Sequence, residues 1–251
     1  MMRLTVLGSA ASYPDAGRAC AGHLVTADGA RVLMDCGNGV LANLGRVTDP
    51  TTLDAVFITH GHTDHFADLY ALQAALRYAP AGALPPLPLY LPAGLFDRIA
   101  SVLSVRGAQE LAEAFEVRPL KEGEPVRVGG LCVTPRRVDH VDPTYALVAE
   151  SDDLRLVYTS DTAYGAAALE TARGAQVLLA EATLPPAYAG RAAHMTPAEA
   201  GDLAREADAG TLVLTHLWPT VDRAAAAREA GERFGGRVIV ADELETIDID
   251  R

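Results

Sequence analysis

Residues 59–65 hold the densest group of potential metal ligands in the chain. The segment reads Thr-His-Gly-His-Thr-Asp-His and follows a short apolar run. Imidazole nitrogens and carboxylate oxygens are the side-chain atoms that suit zinc and related divalent ions. One tight loop cannot easily aim all four donors at a single tetrahedral ion, because alternate residues diverge. The segment therefore predicts two adjacent ions, one on His60 and His62 and the other on Asp64 and His65.

Four further candidates each lie just past the end of a run typical of a short apolar strand. They are His140, Asp161, Glu181 and His216. In layered α/β folds the loops that leave strand ends converge on one edge, where ligands bind. The positions therefore predict that these side chains join the first cluster. His23 is the exception, and we interpret it as structural or surface.

Strand and helix patterns alternate without a low-complexity linker or a short repeat, which predicts an α/β protein. Strands are predicted near 3–8, 22–27, 31–35, 54–59, 87–91, 115–120, 125–138, 145–149, 154–160, 176–180, 211–215 and 237–241. Helices are predicted near 66–78, 95–104, 108–114, 163–173, 196–208 and 222–234, with a short one after the turn at 35–39. Pro80 and Gly82 should end the helix at 66–78, and the Pro-rich stretch 83–88 should be a loop. We expect one domain over 1–251, with two β-rich halves meeting near residue 125.

The composition is that of a globular enzyme. The chain has 251 residues, of which 49% are hydrophobic and 22% charged, enough to bury a substantial core. It lacks both the apolar stretch of about 18 residues that a membrane helix needs and the layout of a signal peptide. Its three cysteines are widely spaced and contain no C-x-x-C pair, which indicates buried thiols in a reducing compartment. We therefore expect a cytoplasmic protein with no membrane partner.

The formal net charge of −12 disfavours long nucleic acid as a partner. Long nucleic acids are held by many Lys and Arg contacts to phosphates, and this chain offers few. A small phosphate substrate held by the metals themselves is the easier case.

Taken together, the T-H-x-H-x-D-H segment and the later motifs resemble the metallo-β-lactamase fold, and more narrowly its ribonuclease Z-like branch. The later motifs are His140, Ser160-Asp161-Thr162, Glu181-Ala182-Thr183, His194-Met195-Thr196 and Leu214-Thr215-His216-Leu217. The openings Leu7-Gly8-Ser9 and Met34-Asp35-Cys36-Gly37 also match, so the likeness covers nearly the whole chain. It implies a four-layer αββα sandwich with two divalent metal ions at one edge.

The resemblance also implies a ligand set. Seven side chains would hold the two ions: His60, His62 and His140 the first, Asp64, His65 and His216 the second, and Asp161 both. Such a mixed His/Asp set leaves positions for water and substrate, as catalytic sites do. A hydroxide held between two ions could attack phosphorus in line, and Asp64 would help to orient it. Zinc is the expected metal, and manganese and iron accept the same ligands.

His194 is a catalytic candidate that is not assigned to a metal. It precedes Thr196-Pro197-Ala198-Glu199, which reads as a helix-capping box and predicts a phosphate site beside the helix N-terminus. In the branch that the chain resembles, the counterpart of Glu181 hydrogen-bonds this histidine. The pair would keep the ring protonated, ready to stabilise the phosphate or protonate the leaving oxygen. The alternative is that His194 is an exposed loop residue and Glu181 a strand-end charge.

Two departures from the tRNA-processing members bear on the substrate. Those members carry a long Gly/Pro- and Lys-containing arm between the counterparts of His140 and Asp161, where this chain has only twenty residues. They also often read His-Ser-Thr, where this chain has His194-Met195-Thr196. Four acidic residues lie where the arm would be: Asp142, Glu150, Asp152 and Asp153. These features predict a phosphodiester hydrolase for small substrates of the cyclic nucleotide type.

Three alternatives remain open. A tRNA 3′-end processing endoribonuclease would use the same site. A carboxyl-ester, lactone or thioester hydrolase is chemically possible, because a metal hydroxide also attacks carbonyl carbon. The chain could instead be a non-enzymatic metal-binding sensor. Relatives in this branch commonly form homodimers, and residues 79–125 should shape one wall of the pocket.

Overall fold

Two seven-stranded mixed sheets form the centre of the computed structural model, which describes residues 1–79, 82 and 84–250. The strands of the first sheet are β1 (Met2–Gly8), β2 (Gly22–Ala27), β3 (Ala30–Met34), β4 (Ala55–Phe57), β5 (Leu87–Leu91), β6 (Phe115–Pro119) and β14 (Thr246–Ile249). Their order across the sheet is β14-β1-β2-β3-β4-β5-β6. The chain crosses to the second sheet between β6 and residue 126.

The second sheet has the order β13-β12-β11-β10-β9-β8-β7. Its strands are β7 (Val126–Val128), β8 (Leu131–Arg137), β9 (Tyr145–Ser151), β10 (Leu154–Tyr158), β11 (Val177–Glu181), β12 (Thr211–Thr215) and β13 (Arg237–Val240). β10 to β13 pair in parallel, as do β3 to β6 in the first sheet. Parallel pairing brings the carboxyl ends of neighbouring strands to one edge of each sheet.

Helices cover the outer face of each sheet. Those packed with the first sheet are α1 (Val40–Val47), α2 (Leu69–Arg77), α3 (Leu95–Ala100) and α4 (Val105–Ala114). Those packed with the second are α5 (Ala166–Ala172), α6 (Pro197–Glu206) and α7 (Arg223–Phe234). The layers are therefore helix, sheet, sheet and helix, which confirms the αββα sandwich expected from the sequence.

The alternation of side chains along the central strands explains the layering. On β10, Leu156 and Tyr158 are completely buried in the core between the sheets, whereas Val157 packs against the helices. β11 repeats the pattern, because Leu179 faces the inter-sheet core and Leu178 faces the helices. Successive side chains point to opposite faces of a strand, so a strand covered on both sides must be apolar throughout.

Several element boundaries differ from the sequence prediction. The segment predicted as one strand at 125–138 is a hairpin, because Gly129 has a φ of 54° and turns the chain between β7 and β8. The helix predicted at 66–78 begins only at Leu69, because residues 66–68 form a turn that follows the 3-10 turn at 63–65. It ends at Arg77; Pro80, predicted to end it, lies outside the described residues, as does Ala83 of the Pro-rich stretch.

Strand β14 is absent from the sequence prediction. It pairs antiparallel with β1 and buries Ile247 and Ile249, so the edge of the first sheet is built from the end of the chain. The sequence signal for it is the alternation of polar and apolar residues over these four positions, Thr-Ile-Asp-Ile. No helix in the described part of the chain has the length and apolarity to span a bilayer.

Candidate metal centre

The predicted ligands lie together in loops at one edge of the sandwich. Residues of the 60–65 loop follow β4, whereas Asp161 and His216 follow β10 and β12. Their ligand atoms form two groups, each within 4.8 Å: His60, His62, His140 and Asp161, and Asp64, His65 and His216. The structure therefore brings together side chains that are up to 156 positions apart in the sequence, as His60 and His216 are.

Asp161 lies between the two groups. Its Oδ2 is 3.6 Å from Nε2 of His60 and 3.6 Å from Nε2 of His140. Its Oδ1 is 3.4 Å from Nε2 of His65 and 3.3 Å from Nδ1 of His216. One carboxylate oxygen thus faces each group, as a ligand shared by two ions would need.

Two histidines are oriented by acceptors that have no hydrogen to donate. Nδ1 of His65 lies 2.8 Å from the carboxylate of Asp35, and Nδ1 of His140 lies 2.9 Å from the backbone oxygen of Ala193. Nδ1 must therefore be the donor in each ring. The neutral imidazole then carries its lone pair on Nε2, the atom that faces the centre of the site.

Threonine hydroxyls orient two more rings in the same way. The hydroxyl of Thr59 donates to Asp35, and it lies 3.1 Å from Nδ1 of His60. Thr183 donates to the backbone oxygen of His216 and lies 2.9 Å from Nδ1 of the same residue. Because each hydroxyl has already used its hydrogen, it accepts from Nδ1–H. His60 and His216 thus also present the lone pair of Nε2.

Buried atoms without partners support the fit of a metal pair. Nε2 of His60 and Oδ1 of Asp161 are buried and have no hydrogen-bond partner among the described residues. An unsatisfied buried polar atom is costly, and metal coordination would satisfy both. Imidazole and carboxylate are the donors that divalent zinc, manganese and iron accept. The residues present therefore fit two divalent ions.

The histidines of the site differ in the direction of their pKa shifts. Burial lowers the pKa of His60 well below its usual value and also lowers the pKa of His62 and His140, so these rings are neutral. Burial alone would also lower the pKa of His65, but the carboxylates of Asp161 and Asp35 outweigh it and raise that pKa well above the usual value. The carboxylates that stabilise a proton on Nε2 of His65 would equally stabilise a metal cation, which would take the place of that proton on the nitrogen.

His194 and Glu181 form the pair expected from the sequence motifs. Nδ1 of His194 lies 2.8 Å from Oε1 of Glu181, whose side chain is completely buried. Glu181 also accepts from the backbone N–H groups of Thr162 and Thr183, which fix its carboxylate. Burial opposes protonation of His194, but Glu181 outweighs it and raises the pKa of the ring.

The position of His194 would also allow it to bind a metal ion. A ligand atom of His194 lies within 4.8 Å of ligand atoms of Asp161 and His216, so these three side chains form a third potential metal group. The capping box predicted after it is confirmed: Thr196 and Glu199 hydrogen-bond each other's backbone N–H groups, and Pro197 is the first residue of α6. His194 therefore precedes a capped helix N-terminus by two residues.

The backbone is locally strained where it delivers these side chains. Asp35, Ser160 and His216 have φ values of 59°, 54° and 51°, in the left-handed region that residues other than glycine rarely adopt. Each directly follows a strand or lies in the loop that leaves it. At Gly37 the constraint is space: a Cβ there would lie 1.9 Å from the backbone oxygen of Asp64.

Several residues that build the site were not predicted to do so. Asp35 was noted only as part of a turn and a matching motif, yet it accepts from His65, from Tyr158 and twice from Thr59. Its place directly after β3 is the same strand-end signal that identified Asp161. Ser12 was not considered: its backbone N–H donates to Oδ2 of Asp64 at 2.7 Å.

His23 lies outside the cluster and is structural. It is completely buried in β2, edge-on to the ring of Tyr158 at a centroid distance of 4.9 Å. Neither of its ring nitrogens has a hydrogen-bond partner among the described residues. Burial lowers the pKa of this ring to about 3, with further lowering from His65 and His216.

A cavity of about 320 Å³ opens beside His62. Gly61, Leu95, Arg98 and Val141 are among the residues that line it. The guanidinium of Arg98 packs close to Gly61, because a Cβ on that glycine would lie 3.4 Å from one of its nitrogens. The cavity has the size expected of a site for a small molecule.

Comparison with known proteins gives consistent matches over most or all of the chain. A family model described as the beta-lactamase superfamily domain matches residues 30–217. The uncharacterized protein ML1173 of Mycobacterium leprae is 34% identical over 99% of this chain and 89% of its own length. Ribonuclease Z of Mycolicibacterium paratuberculosis is 31% identical over 100% of this chain and 99% of its own. The crystal structure of the metallo-beta-lactamase fold protein YhfI from Bacillus subtilis covers 99% of this chain and 100% of that one, with a TM-score of 0.88 and 28% identity.

Proposed function

The chain belongs to the beta-lactamase superfamily, and from this premise we propose that it is a dinuclear metal-dependent phosphodiester hydrolase for small, cyclic nucleotide-type substrates. The family and the His/Asp groups make it a metallo-hydrolase of the metallo-β-lactamase fold. One observation carries the metal assignment: four histidines (His60, His65, His140 and His216) have Nδ1 bonded to the protein and so present the lone pair of Nε2.

We divide the ligands between the ions as the two spatial groups suggest. His60, His62 and His140 would hold one ion, Asp64, His65 and His216 the other, and Asp161 both. When bound, such a pair supplies a water of lowered pKa and positive charge beside the phosphoryl oxygens. Zinc is the proposed metal, with manganese or iron as alternatives on the same ligands.

The protein's own acid–base chemistry would come from Glu181 and His194. The buried carboxylate of Glu181 holds Nδ1 of His194 and favours the protonated ring. A protonated imidazole beside the metals can stabilise the phosphate and give its Nε2 proton to the leaving oxygen. Asp64 would help to orient the attacking water, because its Oδ2 is fixed by the backbone N–H of Ser12.

Three features support a small substrate. The twenty residues between His140 and Asp161 are mostly taken up by β9 and β10, which pair with each other and leave no extended arm among them. The cavity beside His62 holds about 320 Å³. The net charge of −12 disfavours a long polyanion.

The test is hydrolysis of cyclic AMP and of bis(p-nitrophenyl) phosphate by the metal-loaded protein, with an element-resolved metal count on the same sample. We expect turnover of both diesters. The His194→Ala variant should keep two ions and lose about 10²- to 10⁴-fold in kcat, the usual contribution of a general acid or base. If the protein held two metals and hydrolysed neither diester, the proposal would fail. If His194→Ala lost a metal, His194 would be a ligand.

A second candidate is a tRNA 3′-end processing endoribonuclease. Its support is the 31% identity to Ribonuclease Z of M. paratuberculosis over the full chain. Incubation with an unprocessed pre-tRNA, followed by gel analysis, distinguishes the two. Cleavage at the 3′ end at a rate above that of cyclic AMP hydrolysis would favour the endoribonuclease.

A further inference from the structure

Two aromatic side chains lie on the loops that carry His194 and His216. Trp218 follows His216 by two positions, and Tyr188 precedes His194 by six. Their ring centroids are 6.1 Å apart and their planes are inclined by 75°. Neither ring belongs to the three apolar cores, and Tyr188 is 45% exposed. The pair therefore lies outside the packed cores, on the loops that carry two residues of the proposed site.

Hydrogen bonds tie this pair to the second ligand group. The indole Nε1 of Trp218 donates to the hydroxyl of Ser12 at 3.3 Å, and the backbone N–H of Ser12 donates to Oδ2 of Asp64 at 2.7 Å. The tryptophan is thus only one residue away from the carboxylate of a proposed ligand. Because the N–H is at the edge of the indole, the hydrogen bond fixes the ring without using its faces.

A cation contacts the second ring. The guanidinium carbon of Arg191 lies 5.5 Å from the ring centroid of Tyr188, within the range of a cation–π contact. Arg191 and Tyr188 belong to the same loop, which also contains Ala193, the acceptor for His140. Trp218 is therefore tied through Ser12 to the proposed ligand Asp64, and Tyr188 lies on the same loop as the backbone oxygen that orients His140.

We propose that Trp218, with Tyr188 beside it, is the surface on which the nucleobase of a nucleotide substrate stacks; this rests on the proposed phosphodiesterase function. Every nucleobase has a flat π face, and aromatic side chains can stack on it whichever base it is. The phosphate charge of such a substrate would be met by the metals. A neutral aromatic surface then suits the uncharged base in a protein of net charge −12.

The chain offers a direct readout, because Trp218 is its only tryptophan. We would titrate the metal-loaded His194→Ala variant with cyclic AMP and follow the tryptophan emission, with ribose 3′,5′-cyclic phosphate as the counterpart that lacks a base. Binding of each compound is measured independently by calorimetry. Saturable quenching by cyclic AMP, and none by the base-less compound, is the expected result.

Kinetics on the otherwise unchanged enzyme supply the second test. Alanine in place of a stacking aromatic weakens binding by roughly tenfold to a hundredfold. We therefore expect Trp218→Ala to raise KM for cyclic AMP about tenfold to a hundredfold more than it raises KM for ribose 3′,5′-cyclic phosphate. The kcat for both compounds should change little. Trp218→Phe should restore most of the affinity. The matched control is Tyr78→Ala, which removes a 72% exposed aromatic ring at the end of α2.

The outcomes separate this inference from the function on which it rests. Hydrolysis of bis(p-nitrophenyl) phosphate with no binding of cyclic AMP would leave a phosphodiesterase and overturn the stacking surface. Binding of cyclic AMP without quenching, or equal effects of Trp218→Ala on the two cyclic phosphates, would overturn it as well. Saturable quenching without turnover of any diester would keep the stacking surface and reject the phosphodiesterase.

Discussion

The carboxylate of Asp35 lies 2.8 Å from Nδ1 of His65, and both side chains are completely buried. Asp35 accepts four hydrogen bonds in all, from His65, from Tyr158 and from the backbone and hydroxyl of Thr59. It therefore aligns one proposed ligand and, through Thr59, a second, since the hydroxyl of Thr59 accepts from His60. Partners of this kind fix the tautomer of a metal-binding histidine.

The first prediction concerns this carboxylate. In Asp35→Asn the side chain keeps one acceptor oxygen, and its NH₂ group replaces the other. Because an NH₂ group cannot accept hydrogen bonds, some of the donors that Asp35 satisfies would lose their acceptor. We expect metal affinity to fall by about 10- to 100-fold, as measured by competition with a chromogenic chelator. Tyr158→Phe is the matched control, because it removes one hydrogen bond to Asp35 and leaves that to His65. Equal metal affinity in Asp35→Asn and the unchanged protein would refute the role of Asp35.

The second prediction concerns the division of the ligands. His140→Ala should bind one ion per chain, and His216→Ala should also bind one, because each removes a ligand from a different group. Asp161→Ala should bind less than either, since its two oxygens face both groups. Elemental analysis after dialysis gives the counts. Two ions retained in Asp161→Ala would contradict a shared ligand.

The third prediction tests the close approach at Gly37. In Gly37→Ala the new methyl group would overlap the backbone oxygen of Asp64. We expect a loss of at least about 1–3 kcal/mol in the free energy of unfolding, the usual cost of overpacking, together with weaker metal binding. Urea unfolding and the chelator competition measure the two effects.

Gly45→Ala is the matched control for that change. Gly45 lies inside α1, and a Cβ there would have no neighbour within 4 Å. Alanine should therefore stabilise the protein by about 0.4–1 kcal/mol, because it restricts the unfolded chain and favours the helix. If both variants had the same stability, the close contact between Gly37 and Asp64 would not be what excludes a side chain at position 37.

The fourth prediction concerns acid stability and His23. Its folded pKa of about 3 lies below the ordinary value of 6.5, because burial disfavours the charged ring. Between these pH values the unfolded chain binds a proton that the folded chain does not. The contribution of His23 to stability is therefore intact above pH 6.5 and falls by about 1.4 kcal/mol per pH unit as the pH drops toward 3.

His23→Phe should remove that loss. At pH 7.5 we expect the variant to be about as stable as the unchanged protein, since neither ring nitrogen of His23 has a hydrogen-bond partner among the described residues. Its relative stability should then rise steadily from pH 6.5 to pH 5. Urea titrations at several pH values, on both proteins with chelator present, measure the difference. A difference independent of pH would show that His23 titrates normally.

Much of the fold and the site could be predicted from local patterns. The strand patterns identified thirteen of the strands, with β7 and β8 merged into one. The signal is a continuous apolar stretch in the central strands, which are buried on both faces. β14 was missed, since four alternating residues give a weak signal. The capping box at Thr196 was also predictable from a local pattern, because its two partners lie within one turn of helix.

The amino-acid sequence by itself determined which side chains could hold metal, because the motif at 60–65 is local and the other donors are fixed at strand ends. Only the tertiary structure decided how those donors are aimed. Asp35 and His65 are 30 positions apart, Thr183 and His216 are 33, and Ser12 and Asp64 are 52. Contacts over such separations depend on the order of strands in the sheets and on the packing of one sheet against the other, and no local pattern encodes that order.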